Sequence, residues 1–133
     1  MLSGDGKYTG ITIAGTAGTA LAFGDLIYLA VADSRWELAD ASAVATGAQL
    51  TGFCVLAAAS DGDPTVILLS GNIRADTAFP SLTVGAPVFM SETSGDVTNT
   101  APVATDSVTR VLGYAITADS MIVSVSQDWI THS

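Results

Sequence analysis

The apolar residues of this chain fall in short runs that glycine, proline, serine or aspartate interrupts. Valine, isoleucine, threonine and aromatic residues recur in these runs, a composition typical of strands. Residues 41–48 favour one short helical turn, although threonine and glycine weaken it. The pattern predicts an all-β fold of about eight to ten short strands, arranged as a compact small barrel or sandwich with little or no helix.

The same pattern occurs twice, at a shift of 61 residues. The shift places Gly24–Leu29 on Gly85–Met90, and it places Gly52–Val55 on Gly113–Ile116. Phenylalanine and tyrosine coincide in the second of these matches. A repeat of this length indicates a duplicated β unit.

Two units are too few for a solenoid, so we expect them to pair around a pseudo-two-fold axis and to share one core. Residues 9–69 and 70–130 would be the two repeats of a single β domain, which extends over residues 9–133. Residues 1–8 are polar and contain glycine, and they would form an N-terminal arm. The length of 133 residues suits one domain rather than two.

Turn residues support this division. Asp33-Ser34 and Ser94-Gly95-Asp96 stand where a strand should reverse, which predicts two hairpins. Around Trp36 apolar and charged residues alternate, so Trp36 is expected on the buried face of its strand.

The charge excludes several classes of partner. Thirteen acidic residues against four lysines and arginines give a formal charge of −9. Four scattered cations cannot form a phosphate-binding stripe, so we expect no nucleic-acid partner. The charge would also repel an anionic membrane surface, and the uncharged residues 41–60 are too polar to span one.

Catalytic and metal-binding patterns are weak, so we expect neither an enzyme nor a bound cofactor. The one histidine, His132, has no neighbouring nucleophile or acid in the sequence, and nucleotide-binding and His/Cys metal motifs are missing. Cys54, the one cysteine, lies in an apolar run and is interpreted as a buried, inert thiol. Asp61-Gly62-Asp63 is read as a turn, with a loop calcium site as the alternative.

Candidate contact residues lie near the two ends of the sequence. Trp129 and Ile130 follow the last regular strand, and they must dock either on their own domain or on a neighbour. Trp36 and Trp129 also leave open a carbohydrate-binding or adhesion module, because tryptophan stacks on sugars. The arm has two open interpretations: a frayed terminus, or a strand or arm that orders on a partner through Leu2, Lys7 and Tyr8. The candidate capsid or subunit contacts are therefore Leu2, Lys7, Tyr8, Trp129 and Ile130.

Several strings resemble small virion proteins of tailed phages, a group that includes head-decoration (cement) proteins and the capsid-proximal parts of head fibres. The resemblance covers the chain from about residue 20 onward, and its motifs are structural rather than chemical. The strings are Gly24–Leu29, Trp36–Ala41, Val84–Thr93, Arg110–Ile116 and Ser126–Ile130.

The resemblance implies a homotrimer that binds the major capsid protein on the outer surface of the expanded capsid, in the virion. Such a protein stabilises the particle by bridging capsomers, and weak contacts add through effective concentration. The alternative from the same resemblance is another virion structural module, a head-fibre base or a tail component.

Overall fold

The computed structural model describes residues 6–132, and these residues form one curled β structure. The described part contains eleven strands and one helix of a single turn. The elements are β1 (Lys7–Thr16), β2 (Leu26–Leu29), β3 (Trp36–Leu38), α1 (Val44–Gly47), β4 (Thr51–Cys54), β5 (Pro64–Arg74), β6 (Pro87–Met90), β7 (Val97–Thr98), β8 (Val108–Thr109), β9 (Val111–Thr117), β10 (Ser120–Ser124) and β11 (Ile130–Thr131).

Nine strands form one antiparallel sheet. The arrangement of strands is the same when the sheet is followed inward from either edge. Its path is β3-β2-β4-β5-β10-β9-β6-β7, so each half contains a hairpin at the edge, then one further strand, then a strand at the centre. β1 lies along the whole of β5, from the pair Lys7–Arg74 to the pair Thr16–Pro64. A separate two-stranded sheet joins β11 to β8.

The two halves meet where Gly10 of β1 pairs with Gly71 of β5. These are the residues that the 61-residue shift superimposes, so the contact joins matching positions of the two predicted repeats. Both glycines have φ values near +138°, and a Cβ on either one would collide with the backbone of the other strand. Only glycine permits this close approach of two backbones.

The outer edges of the sheet approach one another, which curls it towards closure. Backbone N–H groups of Leu26 and Ala41 donate to the carbonyl oxygens of Gly95 and Ser91, at 3.0 and 2.8 Å. The Gly95 N–H donates in turn to the carbonyl oxygen of Ala39, at 2.7 Å. We call this junction between residues 25–41 and 91–96 the seam.

The curled sheet encloses the main core and carries a second apolar cluster on the outer side of its first half. Leu26, Phe53 and Leu68 point into the main core, together with Val88, Leu112 and Met121 from the second half. The alternate residues of the first half point outward and are covered by other parts of the chain. This covered face consists of Ala17, Leu21, Ile27, Trp36, Cys54, Ala58 and Ile67.

The all-β prediction is confirmed, and so are both hairpins and the burial of Trp36. The single helix, α1, lies inside the stretch 41–48. β1 begins at Lys7, so Lys7 and Tyr8 belong to the sheet although the sequence placed them in the arm.

Phe53 and Tyr114, which the 61-residue shift superimposes, have matching strand partners, but their side chains lie on different faces of the sheet. Phe53 pairs with Leu26 and Tyr114 pairs with Pro87, as the shift requires. Phe53 is buried in the main core, however, whereas Tyr114 points outward. Register shifts on both sides of β9, against β6 and β10, accompany this change of face.

Candidate interaction surface

The strands around the sheet centre carry no acidic residue, although the chain has a net charge of −9. Along β1, β5, β6, β9 and β10 the only charged residues are Lys7 and Arg74. These two pair directly at one end of the β1–β5 ladder. Among the described residues the acids lie in loops, turns and β3, so every strand except β3, including those at the sheet centre, lacks negative charge.

Apolar side chains are exposed on the outer side of this region. Tyr114 on β9 is 54% exposed, and its neighbour Ile122 on β10 is 49% exposed. Ile122 lies opposite Asn72, and Asn72 lies opposite Thr9 of β1. Because directly paired residues point to the same side of a sheet, these side chains form one row.

Ile11, 65% exposed, lies beside this row on β1. We call Thr9, Ile11, Asn72, Tyr114 and Ile122 the open face. The Oδ1 atom of Asn72 is buried without a hydrogen-bond partner, alone among the side-chain nitrogen and oxygen atoms of the described part. An unpaired buried acceptor costs about 1–3 kcal/mol, so the open face contains an uncompensated polar group.

β1 has one paired edge and one edge without a ladder over residues 7–16. Its recorded strand partner within residues 6–132 is β5, and beyond Thr16 the chain forms an isolated bridge between Ala17 and Trp36. Tyr8, Ile11 and Ile13 are all exposed, although side chains alternate between the two faces of a strand. β1 is therefore a long, uncharged edge strand beyond Lys7.

The C-terminal segment docks on its own domain through the backbone. Ile130 pairs with Thr109, and the His132 N–H donates to the carbonyl oxygen of Ser107 at 2.8 Å. The side chains of Trp129 and Ile130 nevertheless remain 39% and 67% exposed. The sequence left open whether Trp129 and Ile130 dock on their own domain or on a neighbour. In the structure the backbone of this segment docks on its own domain, whereas the two side chains remain partly exposed.

Arg110 holds the region next to this segment together. Its buried guanidinium group donates to the carbonyl oxygens of Ser126, Gln49 and Gly47 at 2.7, 2.8 and 3.2 Å, and to Thr51 Oγ1 at 3.2 Å. Burial lowers the pKa of Arg110, but arginine keeps its proton in proteins. These hydrogen bonds join the loop before β4 to the chain after β10.

The predicted contact residues fall in separate places. Lys7 and Tyr8 lie at the start of β1, and the Tyr8 ring is 6.4 Å from that of Phe23. Trp129 and Ile130 belong to the segment of the small second sheet, and no strand pairing joins them to β1. Leu2 lies outside the described residues.

The open face was missed because hydrophobicity alone cannot distinguish an exposed apolar residue from a core residue. Ile11 and Ile122 lie in ordinary strand patterns, and the repeat placed Tyr114 on a buried phenylalanine. The distribution of acids gave no signal either, because every described strand except β3 lacks an acidic residue.

Two acidic residues at the seam, Asp25 and Asp40, have pKa values that shift in opposite directions. Burial raises the pKa of Asp25, and the Asp96 carboxylate adds to this, although the N–H donated by Ala22 opposes it. Burial would also raise the pKa of Asp40. Hydrogen bonds from Ser42, Ser94 and Thr46 outweigh that effect and lower it. Ser94 donates from the opposite side of the seam at 3.1 Å, so the Asp40 carboxylate links the two edges of the sheet.

The loop considered for calcium is a turn held by other contacts. Asp61 accepts from the Arg35 guanidinium at 2.7 Å, and Asp63 accepts from the Ser60 N–H at 3.1 Å. Gly62 has a φ of +93°, as such a turn requires. Within residues 6–132 no three His, Cys, Asp or Glu side chains are placed to hold one metal ion.

The remaining chemistry of the described part is sparse. The Cys54 thiol is buried, and burial raises its pKa, which keeps it in the unreactive thiol form. No helix among the described residues has the length and apolar character that a bilayer span needs. Comparison with known proteins adds nothing further, since the sequence matches no family model and no curated protein.

Proposed function

We propose that this protein is a capsid decoration protein, which binds the major capsid protein on the outer surface of the expanded capsid and stabilises the particle by bridging capsomers. The observation that carries the proposal is the open face, an exposed apolar row in strands without acids on a chain of charge −9. Exposed apolar residues inside a polar rim are typical of protein–protein contacts. The resemblance of the sequence to small virion proteins supplies the identity of the partner.

The charge distribution supports this role. Acids in the loops keep neighbouring copies apart at high local density, whereas the neutral sheet centre can pack against another protein without burying an unpaired charge. The role is structural and not catalytic. A homotrimer on local three-fold positions stays a prediction from the resemblance.

Two alternatives are kept. A head-fibre base or tail component would use the same surface, but it would bind in few copies per particle. The carbohydrate-binding alternative loses one of its two tryptophans, because Trp36 is buried in the covered face. Trp129 alone, on the C-terminal segment, would have to provide the stacking surface.

The test is co-sedimentation of the purified protein with undecorated, expanded capsids of its phage. We expect saturation at a fixed ratio to the capsid protein, and we expect decorated capsids to survive more heat. Ile122→Lys should weaken binding at least about tenfold, because it buries a charge in the contact. Val31→Lys, which adds the same charge at an exposed turn position, should bind like the parent.

Binding of only a few copies per particle would favour the fibre or tail alternative. Absence of binding, with a change in Trp fluorescence on addition of sugars, would favour the carbohydrate module. Equal binding by the two lysine variants would show that the open face is not the contact.

A further inference from the structure

We propose that the free edge of β1 pairs with the β1 edge of a second copy of this chain, in antiparallel orientation, to form a dimer with one continuous sheet. The inference concerns the backbone edge of β1, whereas we assign capsid binding to the side chains of the open face, to which Thr9 and Ile11 of β1 also belong. It depends on the backbone and charge pattern of residues 7–16.

The hydrogen-bonding groups of β1 establish which residues face the free edge. The Ala17 N–H donates to Asp63, and the Ala17 carbonyl accepts from Gly62, so Ala17 points its polar groups towards the β5 side. Backbone groups alternate along a strand. The polar groups of Thr12 and Ala14 therefore point away from β5, to the edge that carries no ladder within the described residues. Next to Thr16 this edge is met by the bridge between Ala17 and Trp36.

An edge of this length is normally protected. Soluble proteins shorten their edge strands, cover them, or place charges and prolines on them. The run Tyr8–Thr16 has no charge and no proline, and it contains two isoleucines and three threonines, which favour strands. A partner strand is the structure that such an edge accepts.

The charge pattern of β1 is compatible with a second copy as this partner. Two chains that each carry −9 repel one another through their loops, so self-association requires a surface without acids. β1 provides one, and its only charge is Lys7 at one end. Antiparallel pairing puts the two Lys7 residues at opposite ends of the shared ladder, roughly 30 Å apart at about 3.3 Å per residue.

The pairing is also self-complementary in its hydrogen bonds. Each copy offers the same alternating N–H and C=O groups, so one contact satisfies both edges at once. The contact is two-fold, and an edge that is paired in this way has no room for a third chain. The homotrimer that the resemblance implies would therefore need a surface other than this edge.

The test is sedimentation equilibrium of the purified full chain over a range of concentrations. We expect a species of twice the 13.4 kDa chain mass. Thr12→Pro removes one N–H from the free edge and leaves the ladder with β5 intact, so it should raise the dimer dissociation constant at least about tenfold. Ile11→Lys, which places a charge beside the edge, should have the same effect and guards against a misfolded proline variant.

Val31→Lys is the matched control, and it should leave the dissociation constant unchanged. Circular dichroism confirms that each variant is folded. A parent chain that stays at 13.4 kDa at every concentration overturns the inference. A dimer or trimer that both β1 variants leave intact overturns it as well. Capsid co-sedimentation is read separately, so a monomer that still saturates capsids would contradict the dimer and not the proposed function.

Discussion

The outer faces of the two halves of the sheet differ, although their strands follow one order. In the first half, Cys54 pairs with Ile67, and both are buried under Trp36 and its neighbours. In the second half the pair of β9 and β10 that points outward is Tyr114 and Ile122, and both are about half exposed. The comparison shows that the outer face of the first half forms a second buried cluster, whereas the outer face of the second half leaves apolar side chains exposed.

The strongest test of this difference in burial is to place the same charge on both outer faces. Ile67→Lys should lower the free energy of unfolding by at least about 4 kcal/mol, because it buries an unpaired ammonium group. Ile122→Lys should change it by no more than about 0.5 kcal/mol, as surface substitutions do. Urea denaturation followed by circular dichroism measures both, and similar losses would show that the two faces are equally buried.

The tryptophans give the next largest difference. Trp36→Ala should cost about 3–5 kcal/mol, since it opens a cavity in the covered face. Trp129→Ala should cost less than about 1 kcal/mol, because its side chain is partly exposed on a segment held by its backbone. Thermal unfolding of the two variants beside the parent tests this. A large loss from Trp129→Ala would mean that its ring belongs to the core of its own domain.

The smallest expected effect concerns Asp25, whose counterpart at the 61-residue shift is Ala86. Burial raises the pKa of Asp25 above its ordinary 3.8 in the folded state, so folding favours the protonated acid. The contribution of Asp25 to the free energy of unfolding is fully present below pH 3.8, and it is lost as the pH rises through the pKa of the folded state. Asp25→Asn, which stays neutral, should be slightly more stable than the parent at pH 7.

Urea midpoints from pH 3 to pH 7 measure this difference between Asp25→Asn and the parent. It should vanish at the acid end and grow with pH to a plateau. A difference that grows towards acid would reverse the assigned direction of the pKa shift.

The sequence was sufficient for those parts of the fold that local chemistry controls. Asp33-Ser34 and Gly95 mark turns because few other residues suit them, and Trp36 is buried because its neighbours alternate. The faces of Phe53 and Tyr114 could not be predicted in this way. A register shift changes the side on which a residue lies, and nothing in the residue types marks where the register changes.

The interaction surface was the least predictable part. Trp129 and Ile130 attract attention in the sequence because they follow the regular strands. Ile11 and Ile122 do not, since each resembles a core residue until its neighbours in space are known. The exposure of an apolar strand residue depends on which segment crosses over it, and that is decided by tertiary structure.

The pairing of β1 with β5 has a consequence for synthesis of the chain. β1 leaves the ribosome before β5, and Lys7 cannot meet Arg74 until the whole of residues 9–69 and the first residues after them have followed. At about 5–20 residues per second, that delay is several seconds, and non-local sheets fold slowly in any case. During this time the β5 strand of a neighbouring nascent chain offers β1 the same partner. Exchange of β1 between chains is therefore the misassembly to which this topology is most exposed.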